Sequence, residues 1–522
     1  MAREGGRLAH VNLTIEIRVP LLVAFAVLGA LAFPSTDWFL LAWVWLTPAL
    51  ACALNRTPRQ ALGDGWLIGT VFFLVQLRWL DHTLRSYSQI PWPLTWLPVL
   101  ALAAYCGLYV AGVCAAVAWL RAGWGTGWAL AAAPVLWVAG ELVRGRLMGG
   151  FPWGLLGYSQ HAQLPIIQIA ELTGVYGVSF LVVAINAALV AVLDLGWRAL
   201  AGSGVAVMLL SGSVSFGLLA LEAETSRTAT ATHVRVAVVQ PSIEQSVKWD
   251  ARHRLDSLTV LERLTRDAAR SRPAVILWPE TAAPVLLRGD AAFLARLTSL
   301  AAELSTPLLV GSVDQTDAAS PQLLNSAFFI TPQGIRAKYD KIHLVPFGEY
   351  VPLDRLLGFV RGWATFVSDF ASGTVRTIFP LPGAPLGLVI CYEVIFPELF
   401  REFVAAGAGF MTNLTNDAWF GTTSGPWQHL SMLPLRAVEN RTAIARAANT
   451  GVSALVEPTG RIIQVLPLEA AGFLEGQLPI RRRTTVYTRV GDWFAYTCLA
   501  LSAGLLGLRA ATVRSPRTLI RR

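Results

Sequence analysis

The chain has 522 residues, 54% of them hydrophobic and 14% charged, with a mean hydropathy of +0.52. Soluble domains carry about 25% charged residues, so the deficit excludes a wholly soluble protein and points to several membrane spans. The net charge of +9 comes with no basic helix and no nucleic-acid motif, which excludes nucleic acid as a partner and leaves arginines that orient a membrane protein.

Residues 1–18 read as a cytoplasmic N-terminus bearing Arg3, Arg7 and Arg18. Residues 19–221 read as a membrane domain of about seven transmembrane helices, at 19–34, 37–54, 63–80, 93–119, 126–143, 166–194 and 200–221. The turn Phe33-Pro34-Ser35-Thr36-Asp37 separates the first two. The loop Gly149-Gly150-Phe151-Pro152-Trp153-Gly154 cannot continue a helix, and its composition also suits an interfacial turn. Residues 234–480 change character: β-branched runs such as Val234-Arg235-Val236-Ala237-Val238-Val239 alternate with amphipathic stretches, the pattern of layered α/β structure. A last span is expected at 492–510, before a basic cytoplasmic tail at 511–522. Arginines at both termini and in the loops 55–60, 120–125 and 195–199 place both ends in the cytoplasm. Eight crossings then put the α/β domain outside the cytoplasm, although arginines in 81–92 and 144–165 blur the bias.

Of the five cysteines, Cys52, Cys106, Cys114 and Cys498 lie in span-like runs and read as small buried hydrophobes. Cys391 is different. It ends the apolar run Leu388-Val389-Ile390, the way a fold presents a thiol at a strand end. Glu280 closes Ala274-Val275-Ile276-Leu277-Trp278-Pro279 in the same manner, and Lys341 sits in Lys338-Tyr339-Asp340-Lys341-Ile342-His343. A free thiol is only a few per cent ionised at neutral pH, so it needs a base or a cation nearby. Glu280 can take its proton, Lys341 can stabilise a thiolate or oxyanion, and Glu349 can fix the lysine or share the proton. Each residue alone has an ordinary alternative: core packing for the cysteine, a turn for the glutamate, a solvated face for the lysine. Together they make an acyl-transfer site. His343 and His429 read as structural, and with no HxxxH or CxxC spacing no metal or other cofactor is expected.

The frames Trp278-Pro279-Glu280-Thr281, Lys341-Ile342-His343-Leu344-Val345-Pro346-Phe347-Gly348-Glu349-Tyr350-Val351-Pro352 and Ile390-Cys391-Tyr392-Glu393 resemble those of the nitrilase (carbon–nitrogen hydrolase) superfamily. Gln245-Ser246-Val247-Lys248-Trp249-Asp250 and Asn416-Asp417-Ala418-Trp419-Phe420-Gly421 match as well. Joined to several spans, they resemble the apolipoprotein N-acyltransferase family of bacterial envelopes. The resemblance implies a multi-span α-helical membrane domain plus an α/β nitrilase-like αββα sandwich. It implies that Cys391 takes the sn-1 acyl chain of a phospholipid as a thioester and passes it to the α-amine of a diacylglyceryl-modified apolipoprotein. Glu280 is then general base, Lys341 the oxyanion stabiliser, and Glu349, Tyr392 and Glu393 support the site. Trp249, Trp419 and Phe420 match positions near the lipid substrate. The setting implied is the bacterial inner membrane, with the catalytic domain periplasmic.

The stripe Leu353, Leu356, Leu357, Val360, Trp363, Ala364 and Val367 has helical spacing. It reads either as a helix packed on its own domain or as an arm, carrying Leu357 and Trp363, that dips into the bilayer and gates lipid access. Two other functions stay open: a membrane-tethered amidase or nitrilase that passes the acyl group to water, and a transporter with an accessory domain. Few charges lie deep in the expected spans, which disfavours the transporter.

Overall fold

The computed structural model describes residues 14–352, 355, 358, 369–481 and 483–514. They form two compact units: the described parts of Met1–Arg78, Leu97–Leu219 and Asp492–Arg522, and those of Trp79–Trp96 and Ala220–Gly491.

The first unit is helical. Among the described residues, four helical stretches are long and apolar enough to cross a membrane: Trp96–Trp124, Thr126–Arg144, Val175–Ala229 and Trp493–Val513. A fifth is added if Pro58–Gln76 and Trp79–Tyr87 count as one span. The 55-residue stretch is a hairpin: Gly196 has φ +61°, and Ser203 Oγ beyond it donates to the Ala188 carbonyl at 3.3 Å. The run expected at 166–194 is interrupted by Gly174 (φ +66°), so the long helix begins at Val175 after the short helices Leu164–Ile167 and Ala170–Thr173. The run expected at 37–54 is a 3₁₀ turn, Phe39–Trp43, and a short helix, Thr47–Leu54. Buried Asn186 takes up the broken backbone there, accepting from Leu46 N at 3.0 Å and donating to the Ala42 carbonyl at 3.0 Å. Unpaired backbone groups are costly at membrane depth, so the polar side chain has a structural reason to be there.

Close helix packing uses small residues. Gly65 and Gly69, four apart on Pro58–Gln76, lie against Ala111, Cys114 and Gly107 of Trp96–Trp124, where an added Cβ would sit 2.8–2.9 Å from its neighbours. The loop Gly149–Gly154 is held from below by Arg144, which donates to the carbonyls of Phe151 (2.7 Å) and Trp153 (2.6 Å). Glu141 accepts from Leu156 N at 2.7 Å and Trp137 Nε1 at 3.0 Å.

The second unit is an α/β sandwich. Its strands are β1 (His233–Gln240), β2 (Val275–Leu277), β3 (Ala283–Leu286), β4 (Leu308–Gln315), β5 (Leu323–Thr331), β6 (Gly334–Asp340), β7 (Leu386–Ile390), β8 (Phe410–Thr415), β9 (Ile444–Ala448), β10 (Ser453–Val456), β11 (Ile462–Leu466) and β12 (Gly472–Pro479). One sheet runs β12-β1-β2-β4-β5-β6 with β3 beside β4; the other runs β11-β10-β9-β8-β7. The first sheet has parallel pairs β1–β2, β2–β4 and β3–β4 with antiparallel β1–β12, β4–β5 and β5–β6; the second is parallel from β7 through β9 and antiparallel from β9 through β11. The sheets meet where β1 touches β9 and β10 touches β12. Outside the first sheet, Leu258, Leu261 and Leu264 of Arg254–Ala269 and Leu297 and Leu300 of Ala291–Leu304 pack on Val239, Ile276 and Val310. Outside the second, Pro397–Ala405 and Leu433–Asn440 bury their apolar faces against β7 and β10. Strands β7, β8 and β9 are buried along their whole length, which explains the unbroken apolar run of β7, while the polar residues of β8 and β9 (Thr412, Asn413, Thr415 and Arg446) are hydrogen-bonded inside. The layers are helix, sheet, sheet, helix, as expected.

Candidate active site

Three strands stop at the same pocket. After β2, Trp278 is buried with its Nε1 bonded to Thr265 Oγ1 at 2.8 Å, and the chain turns through Pro279, Glu280 and Thr281 (φ +47°). Glycine is required at Gly311 of β4, because a Cβ there would collide with the Pro279 carbonyl. After β6, Lys341 N donates to the Asn325 carbonyl at 2.8 Å. After β7, Cys391 adopts φ +50°, a left-handed conformation that non-glycine residues adopt at a cost, and opens a five-residue 3₁₀ turn.

Lys341 Nζ lies 3.0 Å from Glu349 Oε1 and 3.3 Å from Glu280 Oε1. Asn325 Nδ2 donates to the same two oxygens, at 2.9 and 2.7 Å. Glu280 Oε2 accepts from Asn416 N at 2.8 Å, and Glu349 Oε2 from Val345 N at 2.8 Å. The Cys391 thiol lies close enough to the Glu280 carboxylate for each to shift the other's titration. Glu393 sits behind the nucleophile. Its Oε1 accepts from Tyr339 Oη (2.7 Å), Ile342 N (2.6 Å) and His343 N (3.1 Å), and its Oε2 from Ile390 N (2.6 Å). One carboxylate thus ties the ends of β6 and β7 together.

Burial pushes Glu280 up, but the Lys341 charge, the Asn325 hydrogen bond and the Lys248 charge outweigh it and hold the carboxyl below its ordinary value. Burial and then the Glu280 charge push the Cys391 thiol well up, against the pull of Lys341. Burial disfavours the Lys341 ammonium, but Glu349 and Glu280 overcome it and hold Lys341 above its ordinary value. Burial raises Glu393 to about 7 despite its four donors. The resting pocket therefore pairs a neutral thiol with an ionised carboxylate, the arrangement of a nucleophile waiting beside its base.

Residues 25–188 match the sequence model described as the apolipoprotein N-acyltransferase N-terminal domain, and residues 235–486 match that for carbon–nitrogen hydrolase. An apolipoprotein N-acyltransferase of Geobacter metallireducens is 37% identical over 93% of this chain and 94% of its own length. One of Bradyrhizobium diazoefficiens is 34% identical over 91% and 90%. The chain belongs to the apolipoprotein N-acyltransferase family. An amidase from Nesterenkonia sp. aligns with 51% of this chain and 96% of its own, at 21% identity and a TM-score of 0.37.

For a member of the apolipoprotein N-acyltransferase family, the placement of the expected site residues is informative. Glu280, Lys341, Cys391 and Glu393 share one buried cluster, with half-buried Glu349 at its edge. Tyr392 is buried, its ring edge-on to Phe396 at 5.2 Å. Trp419 and Phe420 are half-buried on the loop whose Asn416 N–H reaches Glu280. Trp249 is 50% exposed, next to buried Lys248. Leu357 and Trp363 lie outside the described residues. Among the described residues no group of three His, Cys, Asp or Glu is placed to hold a metal ion.

Asn325 and the helix Trp79–Tyr87 went unread in the sequence, and His429, read there as structural, lies directly beside the nucleophile. Asn325 bridges both glutamates from an otherwise apolar strand; one polar residue at a buried strand position was the available signal. His429 donates from Nε2 to the Cys391 carbonyl at 3.1 Å, while its Nδ1 faces Arg446 Nη2 (3.1 Å) and Asp417 Oδ1 (3.0 Å). Burial and the adjacent Arg446 lower His429, so the neutral imidazole acts as a fixed prop under the nucleophile. The helix Trp79–Tyr87 clamps the loop after β8. Trp79 Nε1 donates to Gln428 Oε1 (3.2 Å), Thr83 Oγ1 to the Trp419 carbonyl (2.8 Å) and Tyr87 Oη to the Ala418 carbonyl (3.1 Å). The rings of Trp79 and Tyr87 meet Phe420 at 4.6 Å and Trp419 at 4.8 Å. A spacing of four puts all three side chains on one helix face.

Proposed function

We propose that Cys391 carries an acyl chain from a phospholipid to the α-amine of a diacylglyceryl-cysteine at the N-terminus of an apolipoprotein. Cys391 Sγ attacks the sn-1 ester carbonyl while Glu280 takes the thiol proton. Lys341 faces the developing oxyanion. Collapse expels the glycerol oxygen, which recovers the proton from Glu280 and leaves as lysophospholipid. The α-amine then attacks the thioester carbonyl, gives a proton to Glu280, and forms the amide as the thiol is regenerated. Glu349, Tyr392 and Glu393 hold the reacting groups, and Trp249, Trp419 and Phe420 contact the lipid chains. In this reading the catalytic unit faces the periplasm, both termini are cytoplasmic, and the segment with Leu357 and Trp363 gates lipid access.

The observation that carries the proposal is the buried Glu280–Lys341–Glu349–Cys391 cluster in a chain with helices apolar enough to span a membrane. Handling both lipids at the bilayer avoids moving acyl chains into water, which costs about 0.8 kcal/mol per CH₂. The test is to incubate the purified protein with phospholipid and look for a hydroxylamine-sensitive acyl adduct on Cys391. A diacylated lipopeptide added next should gain an amide-linked chain. Release of free fatty acid with no amide would replace the proposal with a hydrolase, and an adduct that survives Cys391→Ala would end it.

A further inference from the structure

Lys248 is a second buried amine at this site, with a role the mechanism above leaves unassigned. It ends the short helix Gln245–Lys248 and is 4% exposed. Its Nζ donates to the backbone carbonyl of Glu280 at 3.0 Å, and its charge acts on both the Glu280 carboxylate and the Cys391 sulfur. The segment that carries it is locked in place. Gln245 Oε1 accepts from Asn416 Nδ2 at 2.8 Å, and the Asn449 side chain bonds both the N–H (3.0 Å) and the carbonyl (2.8 Å) of Ile243. Asn449 Nδ2 also donates to Asn416 Oδ1 at 2.9 Å. A long amine is thereby held where a solvated lysine would not go.

A count of charges gives it a purpose. Lys341 is shared between two carboxylates, Glu280 and Glu349, and so leaves one negative charge uncompensated in a buried pocket. Ionising a thiol there adds nothing to the net charge if Glu280 takes the proton, but it moves negative charge onto sulfur. We propose that Lys248 is the compensating cation of the acyl-transfer site: a positioning residue that pins the Glu280 backbone and lowers the energy of the Cys391 thiolate. The inference rests on the roles proposed for Glu280 and Cys391, but its test needs neither phospholipid nor acceptor. Burial, against Glu280 and Cys391, brings Lys248 down to about 8, so its charge is lost within an accessible pH range.

The experiment is alkylation of Cys391 by iodoacetamide in the full-length protein, followed by peptide mass spectrometry, for wild type, Lys248→Gln and Lys248→Met across pH 6.5 to 9.5. Both variants should alkylate slower by about tenfold to a hundredfold at pH 7.5, the range expected for removing an adjacent opposite charge. The gap should close to below about threefold above pH 9, where wild-type Lys248 is itself neutral. A hydrogen-bonding role alone predicts that Gln behaves like wild type and only Met is slow; that result, or rates within twofold at every pH, overturns the proposal. The wild-type profile is a separate check if the variants fail to fold. With Glu280 as internal base the rate should be nearly level below pH 8 and drop above it as the cation is lost, and a rate that stays level or rises through pH 9 refutes the inference. Failure here with a normal phospholipid-derived thioester would leave the proposed function intact.

Discussion

The double variant Thr83→Ala, Tyr87→Phe tests whether the helix Trp79–Tyr87 sets the catalytic base. It deletes the donors to the Trp419 and Ala418 carbonyls and leaves every residue of the pocket in place. Each lost bond is worth about 0.5–1.5 kcal/mol, and more where the carbonyl stays buried and unpaired, so the loop after β8 loses about 2–3 kcal/mol of anchoring. Asn416 lies two and three residues upstream of these carbonyls, and its N–H is a donor to Glu280 Oε2 at 2.8 Å. Loosening it weakens the hydrogen bonding that stabilises the Glu280 carboxylate, and an uncharged glutamic acid cannot accept the thiol proton. Thioester formation from phospholipid, followed by intact mass, should slow about tenfold to a hundredfold, as 1.4–2.7 kcal/mol requires. The acid limb of its pH profile should move to higher pH. Hydrogen exchange at 416–421 should speed up while β7 and β8 stay protected. A variant with faster exchange but an unchanged rate and pH profile would refute the coupling. Unchanged exchange would refute the clamp itself.

Gly311→Ala should displace Glu280 through backbone alone, because its Cβ collides with the Pro279 carbonyl and lies 2.8 Å from the Glu280 Cα. We expect a destabilisation of about 1–3 kcal/mol in a thermal melt and loss of the Cys391 adduct in the fraction that folds. Arg446→Met strands the buried Asp417 carboxylate, which in the wild type accepts from Arg446 Nη2 and from Thr415 Oγ1 (2.9 Å). Breaking such a pair costs about 3–5 kcal/mol, read in denaturant at neutral pH. The pH dependence has a definite sign. Burial works against it, but Arg446 and His429 hold Asp417 well below its unfolded value of 3.8. Its contribution is therefore full above that value and is lost as pH falls through the folded one. The wild type should lose stability on acidification below about pH 4, and Arg446→Met, already without the pair, should lose less.

The residues legible in the sequence were those whose neighbours along the chain carry the signal. Glu280 and Cys391 each end an apolar run and Lys341 sits in a distinctive polar frame, and the structure puts all three just past the ends of their strands, where a charged or reactive side chain can leave the sheet. The four-layer sandwich was legible for the same reason: covered strands and amphipathic helices have different periods. Lys248, Asn325 and the Trp79–Tyr87 helix were not, since their meaning lies in partners tens to hundreds of residues away. The helix was hidden further by the apolar run preceding it, which placed 63–80 in one span and made 81–92 a loop. Its Asp81 accepts from Thr95 at 2.6 Å and pairs with Arg85 at 2.6 Å, so the polar residues that suggested a loop tie the helix to the turn after it. The break at Gly174 depends on a positive φ that a glycine permits without demanding.

A thiol pushed up by burial is a poor nucleophile by itself, and the rest of the pocket compensates. An unpaired charge in such a site costs several kcal/mol, and here Glu280, Lys341, Glu349 and Glu393 all have partners at 2.6–3.3 Å. The expensive step, removing charged groups from water, is completed during folding and is met by the apolar cores of the two sheets. What remains for catalysis is the movement of one proton from sulfur to the neighbouring Glu280 carboxylate, with no change in the pocket's net charge. Attack by an amine uses the same move, with nitrogen in place of sulfur. Bulk water would stabilise the separated charges individually and also compete for the thioester. A buried cysteine of low intrinsic acidity is thus consistent with a reaction in which the acyl group must wait for an amine, because its nucleophilicity is expressed only when Glu280 and the substrate carbonyl are both in place.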